Sequence, residues 1–447
     1  MKATLKALLA TSLLLAPAAF ATKVPIPIEG ATLNVSVQVQ TEAFVTESGS
    51  PNGNDAAYDI FVRRTRLLVN GDISQNFSYL FQIDNANFGK YGNFTGRAIV
   101  QDAWIGWAPT GITGGNVLYV DAGLLLIPIS HHLLESTTNF VTGDVHTDEF
   151  RFGSGGVTIP TGGTGNPFPG NRTTGLQVRG WWLEKKVGFR GGVYQGYGPI
   201  DQTAGCTPTG FGCVTPKRYP QFSGFVNLNI IGSEEGGWLY GAYKWGKDPI
   251  LSVGGSTVYQ SQANRNVALN AAGNITDQRL PSVDVYLNFP QTEAAELVVE
   301  ATGYYSFNGT GSANTGKGFF ADVGYRFGWI APYASYSYFE PEDCSGSLLT
   351  TPQTNACLLN QDVGRSRNAK VGLNLFFNKN LNHLNLELQF NHGVSAFGPQ
   401  AITTGNAGYA PALKADNGSG VAVPGPQNTS MRVPTQMSFM AHWNVLF

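Results

Sequence analysis

The C-terminal stretch RVPTQMSFMAHWNVLF, residues 432–447, alternates between mostly apolar and mostly polar positions. Because side chains along a β-strand point alternately to two faces, one face of this strand is predicted to be apolar and the other polar. Such a strand fits either the wall of a transmembrane β-barrel, with lipid outside and water inside, or the edge of a soluble β-sandwich. The apolar face would carry Val433, Thr435, Met437, Phe439, Ala441, Trp443, Val445 and Phe447, and the other face Gln436, Ser438, Met440, His442 and Asn444.

The N-terminus favours the barrel. Lys2 and Lys6 precede an apolar run, Leu8–Leu15, and the small residues of Ala19-Phe20-Ala21 follow it. This order is typical of a secretory signal peptide, so residues 1–21 are predicted to be a signal peptide and residues 22–447 a transmembrane barrel domain. No later segment approaches the roughly 20 apolar residues that a membrane-spanning helix requires.

Composition agrees with a barrel and disagrees with an ordinary soluble enzyme. The chain has 56 Gly, 18 Tyr, 27 Phe and 8 Trp, and only 13% of its residues are charged. Globular domains usually carry about 25% charged residues. Glycines and aromatic residues are abundant in the turns and the interfacial girdles of membrane barrels.

The two-residue alternation recurs along the chain, beginning with Leu33–Gln40. Short and long connections alternate between the strand segments, as expected when periplasmic turns are tight and external loops are long. The segment Trp238–Trp245 also alternates. Since a bacterial barrel has an even number of strands, we predict an all-β, antiparallel transmembrane barrel of about sixteen strands, with this segment as a periplasmic excursion. An eighteen-stranded barrel is the alternative.

The connection of residues 128–173, here called the third loop, is far longer than its neighbours. Barrels of sixteen to eighteen strands leave an aqueous channel. Connections of this length in a compact domain usually have a function of their own. We therefore predict that the third loop folds into the lumen and constricts it.

The four cysteines lie in two close pairs, Cys206 with Cys213 and Cys344 with Cys357, inside Gly-, Pro-, Ser- and Thr-rich stretches. Their even number and the oxidising export route favour a local disulfide within each pair over metal binding, because no CxxC motif is present. Four cysteines permit three connectivities, so the other pairings stay open.

Several motifs resemble the phosphate-selective porin O/P family in order and spacing over about residues 58–150. They are FVRRTRL (61–67), FSY (77–79), QID (82–84), VQDAWIG (100–106) and DAG (121–123), followed by IP (127–128). The resemblance implies a trimeric, sixteen-stranded porin of the bacterial cell outer membrane whose third external loop folds into the channel. It also implies contact with outer-membrane lipid and lipopolysaccharide and passage of small hydrophilic solutes or ions. No nucleic acid is expected as a partner.

Strand alternation predicts which charges face the lumen, and they are mixed in sign. Phosphate-selective members of the family line the channel with an arginine ladder and a lysine cluster, since anion pores need rings of positive charge. Here residues 129–149 of the third loop contain no Lys or Arg. A general or weakly cation-preferring pore is therefore predicted. The predicted lumen charges are Arg64, Arg66, Arg179, Arg190, Arg326, Lys370, Asp84, Asp102, Asp121, Asp284, Glu300, Asp322 and Glu387, and the acids of the third loop are Glu135, Asp144, Asp148 and Glu149.

Arg64 and Arg66 are predicted to point inward, because Leu67 and Val69 occupy the lipid face of the same strand. Arg63 would then point outward, near the external rim. Two compatible interpretations follow. In the first, the two inward arginines form the positive side of an electric field across the pore, and the acids of the third loop form the negative side. In the second, the arginines pair with Asp84 and Asp102 on neighbouring strands and stiffen the barrel wall.

Other chemistry is not expected. Metal-ligating residue types occur in the third loop, at His131, His132, Glu135, His146 and Asp148. Adjacent histidines in a loop are usually solvated or hydrogen-bonded, so no metal and no cofactor is predicted.

Ser438 and His442 lie four residues apart in one strand, a separation of roughly 13 Å, which is too far for a nucleophile and its base. The chain is therefore not predicted to be an enzyme.

Two functions remain at this point. The first is a passive porin that passes small hydrophilic solutes and ions, including phosphate as one candidate, and in which the selectivity residues are Arg64, Arg66, Asp84, Asp102, Asp121, Glu135, Asp144, Asp148 and Arg179. The second is an outer-membrane structural or adhesive barrel with a plugged lumen and functional surface loops. The predicted width of the barrel favours the porin.

Overall fold

The fold is described from a computed structural model. The described residues are 22–24, 29–47, 56–92, 94, 96, 98–109, 117–144, 146, 172–196, 219–234, 239–245, 248–266, 274–307, 315–342, 366–393 and 436–447. The predicted signal peptide, the four cysteines, Asp148 and Glu149 lie outside these residues.

Eighteen β-strands make up a single antiparallel sheet. In chain order they are β1 (Thr22–Lys23), β2 (Asn34–Thr46), β3 (Ala57–Ser74), β4 (Phe77–Phe88), β5 (Ala98–Trp107), β6 (Val117–Leu126), β7 (Arg172–Trp182), β8 (Val187–Tyr194), β9 (Gln221–Ile231), β10 (Ile250–Asn266), β11 (Asn274–Arg279), β12 (Ser282–Thr292), β13 (Ala295–Ser306), β14 (Gly316–Phe327), β15 (Ile330–Pro341), β16 (Ser366–Asn378), β17 (Asn382–Gly393) and β18 (Gln436–Leu446). Two short 3₁₀ turns, Lys90–Gly92 and His132–Leu134, complete the described secondary structure.

The described strands close into a barrel with sixteen spanning positions. The two residues of β1 only extend the edge of β2. Strand β12 pairs with the first half of β10, and β11 pairs with the second half of β10. Together β11 and β12 therefore fill one position in the barrel. The barrel closes where β18 pairs with β2, from Ser438 opposite Thr46 to Leu446 opposite Gln38. The predicted count of sixteen is confirmed.

The wall is apolar outside and polar inside, as the alternation predicts. In β18 the outward side chains Met437 and Phe439 are 42% and 45% exposed, whereas the inward His442 and Asn444 are 1% and 0% exposed. Strand pairing supplies hydrogen bonds to the backbone of the described wall, and the wall presents an apolar band to lipid. The chain is therefore a transmembrane barrel.

None of the helical segments within the described residues is long and apolar enough to cross a lipid bilayer.

The first part of the third loop folds into the barrel, as predicted. Ser223 of β9 donates a hydrogen bond to the Pro128 carbonyl at 2.6 Å, and Ser282 of β12 donates one to the Ile129 carbonyl at 2.7 Å. Ile129 and Leu133 pack with Phe320 in a buried apolar cluster on the inner wall. The loop is held because its apolar side chains find apolar partners among the inward residues of the wall.

The connection of residues 232–249 is here called the periplasmic connection, and its described residues 239–245 also enter the lumen. The described part of Trp238–Trp245, residues 239–245, forms no barrel strand and makes a single bridge, between Tyr240 and Glu135, in agreement with the prediction that this segment is not one of the spanning strands. Tyr240 donates its backbone N–H to the Leu134 carbonyl at 2.9 Å. Residues 240–243 are all buried, so the segment packs inside the barrel without the alternating exposure of a wall strand.

Candidate pore-lining site

Asp144 of the third loop is held by two adjacent arginines of β3. Its carboxylate lies 2.8 Å from Arg63 Nη2 and 2.8 Å from Arg64 Nη2. The prediction that Arg63 points outward is wrong, because the pairing of β2 with β3 shifts register between Gln40 and Thr41. A bulge of this kind places an extra residue in one strand and redirects its side chain. Both guanidinium groups therefore reach the same acid.

Arg66 follows the second interpretation offered by the sequence, because it pairs with its neighbouring strand. Its Nε donates to Asp84 Oδ2 at 3.0 Å, and both side chains are at most 6% exposed. Its Nη1 also donates to the Thr137 hydroxyl of the third loop at 2.7 Å. Arg66 thus stiffens the wall and holds the loop at once.

Asp102 pairs with β7 instead of with the arginines of β3, and Asp121 also pairs with β7. Arg172 Nε donates to Asp102 Oδ1 at 2.9 Å, and Arg179 Nε donates to Asp121 Oδ2 at 2.7 Å. Arg172 is an addition to the predicted set. The sequence analysis placed Arg172 in the connection of residues 128–173, whereas β7 already begins at Arg172.

Solvent access distinguishes these charge pairs. The side chains of Asp144, Arg63 and Arg172 are 21%, 17% and 13% exposed, whereas Asp84 and Asp102 are 4% and 2% exposed. Since all of them lie on the inner side of the wall or on the inserted loop, the more exposed groups mark the water-accessible part of the interior. Ion pairs that keep contact with water act on passing solutes more directly than buried ones.

The charge of Asp144 should persist at acidic pH. Burial raises its pKa, but Arg63 and Arg64 outweigh burial and hold the pKa of Asp144 well below its ordinary value. A depressed pKa means that the pairing is fully formed above the ordinary carboxyl pKa and is lost only as the pH falls through the depressed value. We expect the same zero-current potential in planar bilayers at about pH 7 and about pH 5. A change in charge preference within that interval that disappears in Asp144→Asn would contradict the pairing.

Glu135 does not oppose Arg64 and Arg66, as the sequence predicted, but belongs to a separate histidine–carboxylate cluster formed by His131, Glu135, Glu234 and Glu300. His131 Nδ1 lies 3.3 Å from Glu135 Oε1, and His131 Nε2 lies 2.6 Å from Glu234 Oε1. The reason is local: the 3₁₀ turn after His131 brings Glu135 back to the ring of His131.

Burial and the neighbouring charges perturb the two loop residues of this cluster. Burial lowers the pKa of His131, but Glu234 and Glu135 outweigh it and raise this pKa well above its ordinary value. Burial and the neighbouring Glu300 raise the pKa of Glu135 well above its ordinary value. The rings of Tyr240 and Tyr286 stack on the two sides of His131, at centroid distances of 4.8 and 4.4 Å.

A second pair of histidines packs beside this cluster. His132 lies with its Nδ1 3.4 Å from Glu300 Oε2, and its Nε2 accepts the backbone N–H of His146 at 3.0 Å. His146 Nε2 lies 2.9 Å from Asp322 Oδ1. These histidines are buried and hydrogen-bonded, which is the second of the two states expected from the sequence.

The wall charges predicted to face the lumen are all buried on the inner face. They are Arg64, Arg66, Arg179, Arg190, Arg326, Lys370, Asp84, Asp102, Asp121, Asp284, Glu300, Asp322 and Glu387. Sequence reasoning missed Arg63, Arg172 and Glu234. Arg63 was missed because its inward orientation depends on the bulge in β3. Glu234 was missed because it lies in the periplasmic connection, where strand alternation does not apply.

No protein-family model matches this chain, and no curated protein matches it. Solved outer-membrane proteins share its fold. The structure of Salmonella typhi OmpF in complex with daunomycin has a TM-score of 0.51 at 12% identity, and the match covers 95% of this chain and 100% of that chain. The high-pH structure of Pseudomonas putida OprB has a TM-score of 0.52 at 9% identity, covering 93% of this chain and 94% of that chain. A closed sixteen-stranded barrel with an apolar exterior belongs in a bacterial outer membrane.

Proposed function

We propose that this barrel is a porin, a water-filled channel through which small hydrophilic solutes and ions diffuse passively. The sixteen spanning positions support the proposal, because barrels of this size leave an aqueous lumen. The polar inner face and the inserted third loop are consistent with a channel that has a constriction. The third loop, residues 128–173, supplies that constriction. Its described part contacts β9 at Pro128 and β3 at Asp144.

The observation that carries the charge preference is the contact of Asp144 with Arg63 and Arg64, because Asp144 and Arg63 remain partly accessible to water. The loop contributes the negative charge and β3 the positive charges, so a passing ion meets both signs in the same section. Arg66 with Asp84, Arg172 with Asp102 and Arg179 with Asp121 add three further neutral pairs. An interior of this kind discriminates weakly between cations and anions.

Phosphate is a candidate solute but not a preferred one in this proposal. The resemblance over residues 58–150 implies a phosphate-selective relative, and such channels need an excess of positive charge. The arginines named above each lie beside a carboxylate. Their positive charge is therefore largely compensated, and a strong phosphate site is not expected.

The remaining family expectations are also proposals. A homotrimer would bury part of the apolar outer face, with the strands near the barrel closure, β18 and β2, as the contact. Lipid and lipopolysaccharide would cover the rest. The protein would catalyse no reaction, since diffusion through a pore requires only the gradient. Two local disulfides, Cys206 with Cys213 and Cys344 with Cys357, would pin external loops.

The first experiment is the zero-current potential of the purified protein in a planar bilayer under a tenfold potassium chloride gradient, followed by addition of phosphate. We expect open channels, a potential small compared with the roughly 59 mV of ideal selectivity, and no block by phosphate. A strongly anion-directed potential with phosphate block would overturn the weak charge preference. Complete absence of conductance would overturn the porin and favour the structural or adhesive barrel.

A further inference from the structure

Three buried donor atoms of the histidine–carboxylate cluster converge on one point between the third loop and the wall. They are His131 Nδ1, Glu135 Oε1 and Glu300 Oε1, and they lie within 4.8 Å of one another. His131 Nδ1 is 3.3 Å from Glu135 Oε1 and 3.7 Å from Glu300 Oε1. None of the three atoms has a hydrogen-bond partner in the described part of the chain. Buried polar atoms without partners are rare and costly.

Glu234 orients the ring of His131 for binding at Nδ1. The short contact of 2.6 Å between His131 Nε2 and Glu234 Oε1 places a proton on Nε2, which donates to the carboxylate. Lys244 Nζ lies 3.4 Å from the same oxygen and balances its charge. When a metal ion displaces the second proton of the ring, the Nδ1 lone pair faces Glu135 and Glu300. Histidines that bind metals through one nitrogen almost always donate the other N–H to a carboxylate, a carbonyl or a water molecule.

His132 orients Glu300 in a similar way. Its Nε2 accepts the backbone N–H of His146, so the proton of the neutral ring lies on Nδ1. That N–H faces Glu300 Oε2 at 3.4 Å and leaves Oε1 directed to His131. The same protonation makes His132 a poor ligand at Nδ1. His132 is therefore a positioning residue, and the binding atoms are those of His131, Glu135 and Glu300.

We propose that His131, Glu135 and Glu300 bind a divalent transition-metal ion such as Zn²⁺, which fastens the third loop to the barrel wall. Zinc bonds to histidine nitrogen and carboxylate oxygen of about 2.0–2.2 Å place neighbouring tetrahedral donors about 3.4 Å apart. The observed separations of 3.3 and 3.7 Å match this geometry.

The donor set selects the type of metal ion. One imidazole and two carboxylates suit zinc and similar borderline ions. Calcium requires six to eight oxygen ligands, and magnesium keeps most of its water, so neither fits a buried site with a nitrogen donor. The ion would also compensate Glu135 and Glu300, two carboxylates that repel each other in a site of low dielectric.

The ion would tie together parts of the chain that are distant in sequence. His131 and Glu135 belong to the third loop, whereas Glu300 lies in the middle of β13. His131 also contacts Glu234 of the periplasmic connection. Binding would therefore hold the loop, the connection and the wall in one arrangement and stabilise the folded barrel by mass action.

Metal content of the folded, exported barrel tests the proposal directly. The protein in detergent is treated with EDTA, equilibrated with zinc, desalted and analysed for zinc. We expect about one zinc ion per chain, and loss of most of it in Glu135→Gln and in His131→Gln. Glu234→Gln should retain the site but bind zinc about 10- to 100-fold more weakly, because it removes only an orienting carboxylate.

The matched control is His383→Gln, which replaces a buried histidine of β17 outside the cluster and should bind zinc as the wild type does. A change of gel migration on heating, equal to that of the wild type, reports that each variant is folded. Glu135→Gln has nearly the same volume as the original residue and removes one of two repelling charges, so it should fold even where His131→Gln does not. Zinc should raise the melting temperature of the wild type and of His383→Gln, and not that of Glu135→Gln.

Two outcomes would overturn the proposal. Equal zinc content in the wild type and Glu135→Gln would place the ion elsewhere on the protein. A wild type that retains no zinc after desalting would show that protons, and not a metal ion, compensate the cluster. Because these measurements do not use conductance, they are independent of the proposed pore function.

Discussion

Replacing Asp144 with Asn is expected to shift the pore toward anions and to increase its conductance. The carboxylate is the negative charge that Arg63 and Arg64 share at 2.8 Å each. Asparagine keeps the size of the side chain and removes its charge, so Arg64 loses the carboxylate that it contacts and Arg63 keeps only Glu42, 3.9 Å away. We expect the zero-current potential to move in the anion direction by on the order of 10 mV, out of about 59 mV for ideal selectivity.

The same substitution should loosen the loop, because the strong charge-assisted hydrogen bonds to β3 become weak ones. Single-channel conductance should therefore rise or fluctuate more. Asp72→Asn is the matched control. Asp72 is an exposed acid at the other end of β3 that contacts Thr32, and its replacement should leave both quantities unchanged. An unchanged potential in Asp144→Asn would show that the ion path does not pass Arg63 and Arg64.

Replacing Arg326 with Ala is expected to lower the free energy of unfolding by about 3–5 kcal/mol, because it leaves a buried carboxylate without its charge partner. Arg326 is 2% exposed and donates from Nε to Glu296 Oε1 at 2.9 Å. It also donates to the carbonyls of Ala294, Gly328 and Glu293, at 3.1–3.2 Å. Its guanidinium lies 4.4 Å from the ring centre of Trp245, so its loss also releases the periplasmic connection.

Urea unfolding in phospholipid vesicles measures this effect, and Arg279→Ala is the control. Arg279 pairs with Asp277 at 3.5 Å, but its side chain is 60% exposed. Exposed pairs contribute at most about 1 kcal/mol. Both variants replace an arginine with alanine in the same barrel, and the two arginines differ in burial. Similar losses in both would contradict the view that the buried pair holds the connection in place.

The wall of the barrel could be predicted from the sequence because the orientation of each wall side chain depends only on its position within its own strand. In a strand, position decides orientation, so Asp84, Asp121, Arg179 and Glu387 face inward for the same reason that Phe439 faces lipid. An even strand number and the alternation of short and long connections then determine the topology. These rules need no knowledge of contacts between distant segments.

The partners of these charges could not be predicted in the same way. Arg63 turns inward because of one bulge opposite Gln40 and Thr41, and alternation has no means of anticipating it. Asp102 pairs with Arg172 across the width of β6, because both side chains are long enough to meet above the strand between them. Glu135 appeared to be a selectivity acid, and only folding of the third loop shows that it meets His131 and Glu300.

The sequence by itself determined that this chain forms a sixteen-stranded membrane barrel with a polar interior, because a two-residue period and backbone hydrogen bonding in lipid allow few other structures. Only the tertiary structure decided which charges meet inside it. The third loop and the periplasmic connection have no periodic constraint, and their positions follow from packing against Phe320 and Tyr286 and from pairing with β3 and β13. The pairing of Asp144 and the proposed metal site exist because those segments meet in space.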